Sequence, residues 1–334
     1  MFLLCLLSLF ALTIASAGGA SADVWDGTLA TGFDGGNGNP GTPYLIATPG
    51  QLAYLADRVN NDNKNYENKH YKLTADIDLN GSMYDWTPIG DGSYLFRGTF
   101  DGDGHTISNM KVEASIKYAG LFGFIGSGGS VHDLALRDVD VQSDFSLPYV
   151  GGLAGRLASG GSIANVAATG RVETTEVGAL AGGLVGFNMG TVTSCASSCA
   201  VESLGGTNPV FGTGGLVGSQ QEGAITASLA TGPVTAVGGA NDVRVGGFAG
   251  TMTTYDDNTI SDSLAAGRVA YSTTKTADVG GFIGMFAKGR LSDNVFDSQG
   301  TGQTAGIGNP QGNTDAEPMT TAALTAGTGV PFPL

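Results

Sequence analysis

Gly182-Gly-Leu-Val-Gly186 is one of six copies of a single short phrase. The others are Gly120-Leu-Phe-Gly123, Gly151-Gly-Leu-Ala-Gly155, Gly214-Gly-Leu-Val-Gly218, Gly246-Gly-Phe-Ala-Gly250 and Gly280-Gly-Phe-Ile-Gly284. The central apolar residues are Leu121, Leu153, Leu184, Leu216, Phe248 and Phe282, spaced by 32, 31, 32, 32 and 34 residues. A fixed period of short β-like phrases signals a stacked, quasi-one-dimensional architecture.

A second phrase keeps step with the first. Ile163-Ala-Asn-Val-Ala-Ala-Thr-Gly-Arg-Val172 returns at Val192–Val201, Ile225–Val234 and Ile260–Val269, with a weaker copy from Leu291. In each of the four full copies a β-branched residue is followed nine positions later by Val, and a small residue or Gly sits where a corner needs it. One unit is therefore expected to hold about three short strands bounded by Gly, Asn, Asp and Ser.

Composition excludes helical repeats. Gly is 56 of 334 residues, and each Gly inside a helix costs roughly 1 kcal/mol relative to Ala. The units also lack apolar residues at i, i+3, i+4 and i+7. A propeller blade needs four strands in about 40–45 residues and its own motif, which is absent. Stacked coils of a parallel β-helix fit, with each coil rising about 4.8 Å so that equivalent residues form ladders.

These units resemble the GLUG-type repeats of large bacterial surface and secreted proteins, found in filamentous-haemagglutinin-like adhesins and in accessory regions of immunoglobulin A-cleaving metallopeptidases. Upstream segments extend the resemblance: Pro43-Tyr-Leu-Ile46, Gln51–Ala56, Tyr71-Lys-Leu73, Asp76-Ile-Asp-Leu79, Trp86-Thr-Pro-Ile-Gly90 and Phe100–Ile107. It covers about Trp25 to Gln303. It implies an all-β, right-handed parallel β-helix and a surface setting, and it implies no one activity.

The chain then divides as follows. Residues 1–22 read as a secretory signal peptide: Phe2–Ala17 is almost wholly apolar, and Ala15-Ser16-Ala17 and Ala20-Ser21-Ala22 are small-x-small cleavage sites. No Lys or Arg precedes the apolar run, which leaves a membrane anchor as the alternative. Residues 23–70 form an N-terminal cap. Within it Pro49–Asn60 is an amphipathic helix, with Leu52, Leu55, Ala56 and Val59 on one face and Thr48 as N-cap. Residues 71–299 are the β-helix, and 300–334 are an irregular tail.

A formal charge of −15 argues against nucleic acid and against docking to anionic lipid. Cys195 and Cys199 are the two cysteines beyond the leader, either one disulfide or two small apolar residues of a ladder.

The candidate chemical sites each have a plainer reading. Asp76-Ile-Asp-Leu-Asn-Gly81 opens like a calcium loop, but Thr87 stands where an EF-hand needs Glu, so a strand and turn are expected. Asp101-Gly-Asp-Gly-His105 groups two carboxylates and an imidazole that could hold a metal, and Asp and Gly are also turn residues. His132-Asp133 reads as a solvated pair. No H-E-x-x-H and no G-x-S-x-G is present. The carboxylates Asp138, Asp140, Asp144, Glu173, Glu176, Asp256, Asp257, Asp262 and Asp293 are scattered, although Asp262 and Asp293 hold matching places in successive units. The sequence assigns no catalytic residue, cofactor or metal ligand.

The function expected is adhesion or another extracellular interaction, with a glycan or a cell-surface protein as ligand and self-association open. The alternative is a polysaccharide-degrading lyase or glycoside hydrolase, which needs paired carboxylates in a groove. A third class, ice binding, rests on the small, hydroxyl-rich column Ala164, Thr193, Thr226, Ser261 and Ser292. Strand alternation further predicts that Leu121, Leu153, Leu184, Leu216, Phe248 and Phe282 point inward. The adjacent column Phe122, Ala154, Val185, Val217, Ala249 and Ile283 then faces away, under loops or as an exposed apolar stripe.

Overall fold

Successive coils pair in parallel register, so the 32-residue period becomes a stack of about eight turns. A computed structural model describes residues 23–175, 178–205, 211–239, 242–253, 257–310 and 315–328. The expected leader, residues 1–22, lies outside these residues, as do Glu176 and Asp256. Among the described residues no helix is long and apolar enough to cross a membrane.

One coil shows the plan. Thr191–Thr193, Ala196–Ser197 and Ala200–Ser203 are its first three strands, Gly212–Gly214 its fourth and Val217–Gln220 its fifth. The first three belong to a 21-stranded sheet, the fourth to a six-stranded sheet and the fifth to a seven-stranded sheet. The unit thus holds five strands where three were expected. The Ile/Val phrase contains two kinks, and the Gly-Gly-Leu phrase is a bend between two strands. In earlier coils the kinks are milder, and Ser130–Ser143 and Ser162–Thr174 each run as one long strand.

Inward columns fill the core. Tyr71, Phe100, Val131, Ile163, Val192, Ile225, Ile260 and Leu291 stack from the first strand. Val112, Val141, Val172, Val201, Val234 and Val269 stack from the third. All fourteen are buried. This regularity is what the period-nine spacing of the Ile/Val phrase encoded.

The kink between the first two strands has a residue-level cause. Asp133, Asn165, Ser194, Ala227, Asp262 and Asp293 occupy one corner column, each with φ between 50° and 55°. Asn and Asp enter this left-handed region more readily than other residues bearing a Cβ. Asp262 and Asp293 match between units because both occupy this left-handed corner. The kink also breaks the ladder of backbone hydrogen bonds, and the next residue repairs it. Ser228 Oγ accepts from Cys195 N–H, Ser263 Oγ from Ser228 N–H and Asn294 Oδ1 from Ser263 N–H, each at 3.2 Å. Ala227 has no side-chain acceptor to favour its conformation, so Ala227→Asn is expected to stabilise the fold by about 1 kcal/mol. Thermal melting checks this, and an unchanged or lower midpoint contradicts it.

Both ends differ from the expected boundaries. Helix α1, Pro49–Asn61, begins with a capping box in which Gln51 N–H donates to Thr48 Oγ1 and Thr48 N–H donates to Gln51 Oε1. Leu52, Leu55 and Val59 are fully buried in the main core. Strand pairing already starts upstream of residue 71, because Tyr44–Ile46 pairs with Tyr71–Leu73 and Asp23–Val24 with Ile77–Asp78. The stretch 300–334, read as an irregular tail, supplies Ile307–Asn309 to the seven-stranded sheet and Ala316–Met319 to the large one. Helix α2, Thr321–Ala326, lays Leu324 on a second, smaller core outside the large sheet, with Ala167, Ala196, Leu229, Leu264 and Val295. These last strands lack the Gly-Leu phrase, which is why the repeat did not reveal them.

Candidate binding face

The structure disperses the cluster Asp101-Gly-Asp-Gly-His105. His105 Nδ1 lies 3.1 Å from Asp76 Oδ1, one coil earlier. Asp103, at φ 49°, sits in a turn whose N–H donates to Asp101 Oδ1. Asp101 itself lies between Lys72 and His132 in the outer column of the first strand. Among the described residues, ligand atoms of Asp101, His132 and Asp133 lie within 4.8 Å of one another. The Lys72 ammonium stands 2.9 Å from Asp103 and 3.9 Å from Asp101, so a cation already compensates these carboxylates. Asp78 Oδ1 accepts from Asn80 N–H in a left-handed turn, in keeping with the strand-and-turn reading of Asp76–Gly81.

The hydroxyl column continues this same outer ladder: Lys72, Asp101, His132, Ala164, Thr193, Thr226, Ser261 and Ser292. It begins with three charged or titratable residues and offers no uniform Thr surface. Cys195 and Cys199 are free thiols in two different columns, one shared with Ser228 and one with Gly232. Burial pushes both thiols up to about 12. Of the two readings left open, the structure takes the two ladder residues.

The residues that the sequence reading missed flank the Gly-Gly-Leu bend. The fourth and fifth strands approach so closely there that a Cβ on Gly186 would fall 2.5 Å from Val150 N and 2.8 Å from Leu180 O. Side chains on either side of this seam meet across it. Tyr118 and Phe124 have ring centroids 5.3 Å apart, and Tyr149 and Phe187 stack at 5.0 Å. Tyr118 and Tyr149 contact edge-on at 5.6 Å, which joins consecutive coils. Phe124, Arg156 and Phe187 follow one another up the fifth-strand ladder. The Arg156 guanidinium is thereby held over both rings, 4.6 Å from one centroid and 5.2 Å from the other. Lys117 Nζ lies over Tyr118 and Tyr149 at 5.6 and 5.5 Å.

The face continues upward into a cleft of about 270 Å³ lined by Leu147, Tyr149, Leu180, Phe187, Phe211 and Arg244, among others. Leu147 and Phe211 are 47% and 41% exposed, so this apolar wall faces solvent. A signal was present in the sequence. The third position after each central Leu or Phe is Phe124, Arg156, Phe187, Ser219, Thr251 and Met285. It was missed because the bend, and not strand alternation, aims that position at the fourth strand.

A second cleft, of about 410 Å³, is lined by Glu113, Gln142, Asp144 and Glu173 among others. Its carboxylates are compensated in part, since Lys111 pairs with Glu113 and Arg171 with Glu173 and Glu202. Asp262 and Asp293 are left-handed turn residues, and Asp138 takes a left-handed conformation at an irregularity within the strand Ser130–Ser143.

The family described as "The GLUG motif" matches residues 146–173, which include the bend and the strands on both sides of it. The chain is 34% identical over 304 residues to "Halomucin" of Haloquadratum walsbyi, covering 86% of this chain and 3% of that protein. It is 35% identical over 130 residues to a "Putative Gly-rich membrane protein" of Evansella cellulosilytica, covering 37% of this chain and 14% of that one. It therefore spans a small part of the length of either curated relative. The crystal structure of a "putative immunoglobulin A1 protease" from Bacteroides ovatus superposes with a TM-score of 0.67 over 87% of this chain and 88% of that one. At 21% identity this likeness concerns the fold alone. Motif, period and fold agree: the chain carries a GLUG motif at residues 146–173 within repeats of about 32 residues that stack as a parallel β-helix.

Proposed function

We propose that this protein is a surface or extracellular adhesion module that holds a glycan along the seam between its fourth and fifth strands. The observation that carries this reading is the run of half-buried Tyr118, Tyr149 and Arg156 over consecutive coils, backed by the buried rings of Phe124 and Phe187 and opening into a solvent-facing cleft. Aromatic rings beside polar groups give a ligand both an apolar platform and fixed hydrogen-bonding positions. The run spans three successive coils before Ser219 and Thr251 replace the aromatic residues, which suits a short stretch of an extended chain. The names of the relatives, a mucin and a membrane protein, support a setting at or outside the cell surface. The Pro49–Asn61 helix serves in this reading as the cap that protects the first coil from edge pairing.

A glycan array, run beside polysaccharide cleavage assays on the same preparation, tests the proposal. The intact protein is expected to retain glycans without releasing new chain ends. Tyr149→Ala should weaken retention by about tenfold, the equivalent of about 1.4 kcal/mol, with the fold preserved by circular dichroism. Retention of no glycan, or cleavage of a retained one, overturns it.

A further inference from the structure

Arg156 is half-buried, with its guanidinium held between two aromatic rings. Arg58, Lys72, Arg97, Lys111, Arg171 and Arg244 each have a carboxylate within 4.0 Å. Among the described residues Arg156 has none. Its Nε is buried without an acceptor, and its Nη2 reaches only Met189 Sδ at 3.6 Å. Lys117, exposed on the same face, likewise touches tyrosine rings and no carboxylate. A chain of net charge −15 has carboxylates to spare, and this face has none placed against these two cations. An unsatisfied buried guanidinium N–H costs free energy until an acceptor reaches it. Its planar fork matches a carboxylate, and the flanking rings hold that fork in position.

Resting on the binding-face reading above, we infer that the ligand is an acidic polysaccharide whose uronate carboxylate is received by Arg156, with Lys117 as a second cation. A uronate ring presents what this face can use: a C–H surface for the tyrosine rings and a carboxylate at its edge. A neutral sugar would supply only the first. The net negative charge of the protein does not decide against this ligand, because contacts beyond about 8 Å are screened at physiological ionic strength while a direct guanidinium–carboxylate pair is not. Recognition then depends on the local fork and not on a long-range field.

Calorimetric titration tests this with four probes: oligogalacturonate, its methyl ester, a neutral dextran oligosaccharide and a sulfated oligosaccharide. The acid should bind at least about tenfold more tightly than the ester, a difference of about 1.4 kcal/mol. Arg156→Gln should abolish that preference while leaving affinity for the ester within about twofold, and Arg156→Lys should restore part of it. Lys117→Gln changes an exposed residue, so its fold is not in question, and it should reduce the preference by about threefold. Circular dichroism melting accompanies each variant. Equal affinity for acid and ester, a preference for the sulfated probe, or a preference that survives both Arg156→Gln and Lys117→Gln overturns the inference. If the dextran or the ester binds and Tyr149→Ala removes that binding, the binding face stands and only the uronate assignment falls. If no probe binds, both fall.

Discussion

Val185→Asp is expected to unfold the protein as completely as Leu184→Asp. Strand alternation had assigned these two neighbours to opposite faces, with Val185 outward and its replacement by Asp tolerated. The structure corrects that assignment. Leu184 lies in the bend and Val185 opens the next strand, so the chain turns between them and both side chains enter the core. All twelve members of the two columns are fully buried. A carboxylate at either position has no cation to pair with among the apolar residues of the core, and an uncompensated buried charge costs about 3–5 kcal/mol. Ser292→Asp is the control: it places the same charge on the outer face of the first strand, where Ser292 is exposed. Far-ultraviolet circular dichroism and thermal melting of the three variants decide the matter. A Val185→Asp protein that melts cooperatively near the parent midpoint would return the second column to the surface.

Gly218→Ala is expected to lower the melting midpoint substantially, whereas Gly32→Ala leaves it in place. A methyl group on Gly218 would fall 2.6 Å from Ala181 N, 2.6 Å from Gly186 O and 2.7 Å from Leu180 C. All three atoms are backbone, so no side chain can swing aside. At Gly32 nothing lies within 4 Å. Overpacking of this kind costs about 1–3 kcal/mol and more where the backbone cannot yield, and about 3 kcal/mol corresponds to a fall of roughly 4–5 °C in a chain of this size. Because each coil touches only its neighbours, the defect also tends to divide the stack into two weakly coupled blocks. Calorimetry should then show a broadened or split transition. A single sharp transition at the parent temperature would mean that the seam between fourth and fifth strands is looser than described.

The repeat was legible in the sequence because its cause is local and recurs. Each coil needs the same β-branched residues at the first and third strands, and parallel stacking forces equivalent positions into columns. Period, strand content, fold class and helix α1 with its Thr48 cap therefore follow from spacing, glycine content and capping chemistry. The fate of Asp262 and Asp293 was half legible: their equivalence could be read, while the left-handed backbone that explains it could not.

What the tertiary structure decided is where the chain bends. The Gly-Gly-Leu phrase reads equally well as the middle of a strand or as a bend between two, since glycine permits both. Only contacts between coils choose. A Cβ on Gly183 would fall 2.0 Å from Ser197 Oγ across the narrow core, and one on Gly182 would fall 2.6 Å from Gly218 N in the next coil. Those approaches require a bend, and the bend turns Val185 inward and aims Phe187 and Arg156 at Tyr149 and Phe124. Short-range pattern thus specified that the chain forms a ladder. The long-range packing of backbone against backbone, which no window of sequence contains, specified which side chains face the core and which meet along the seam.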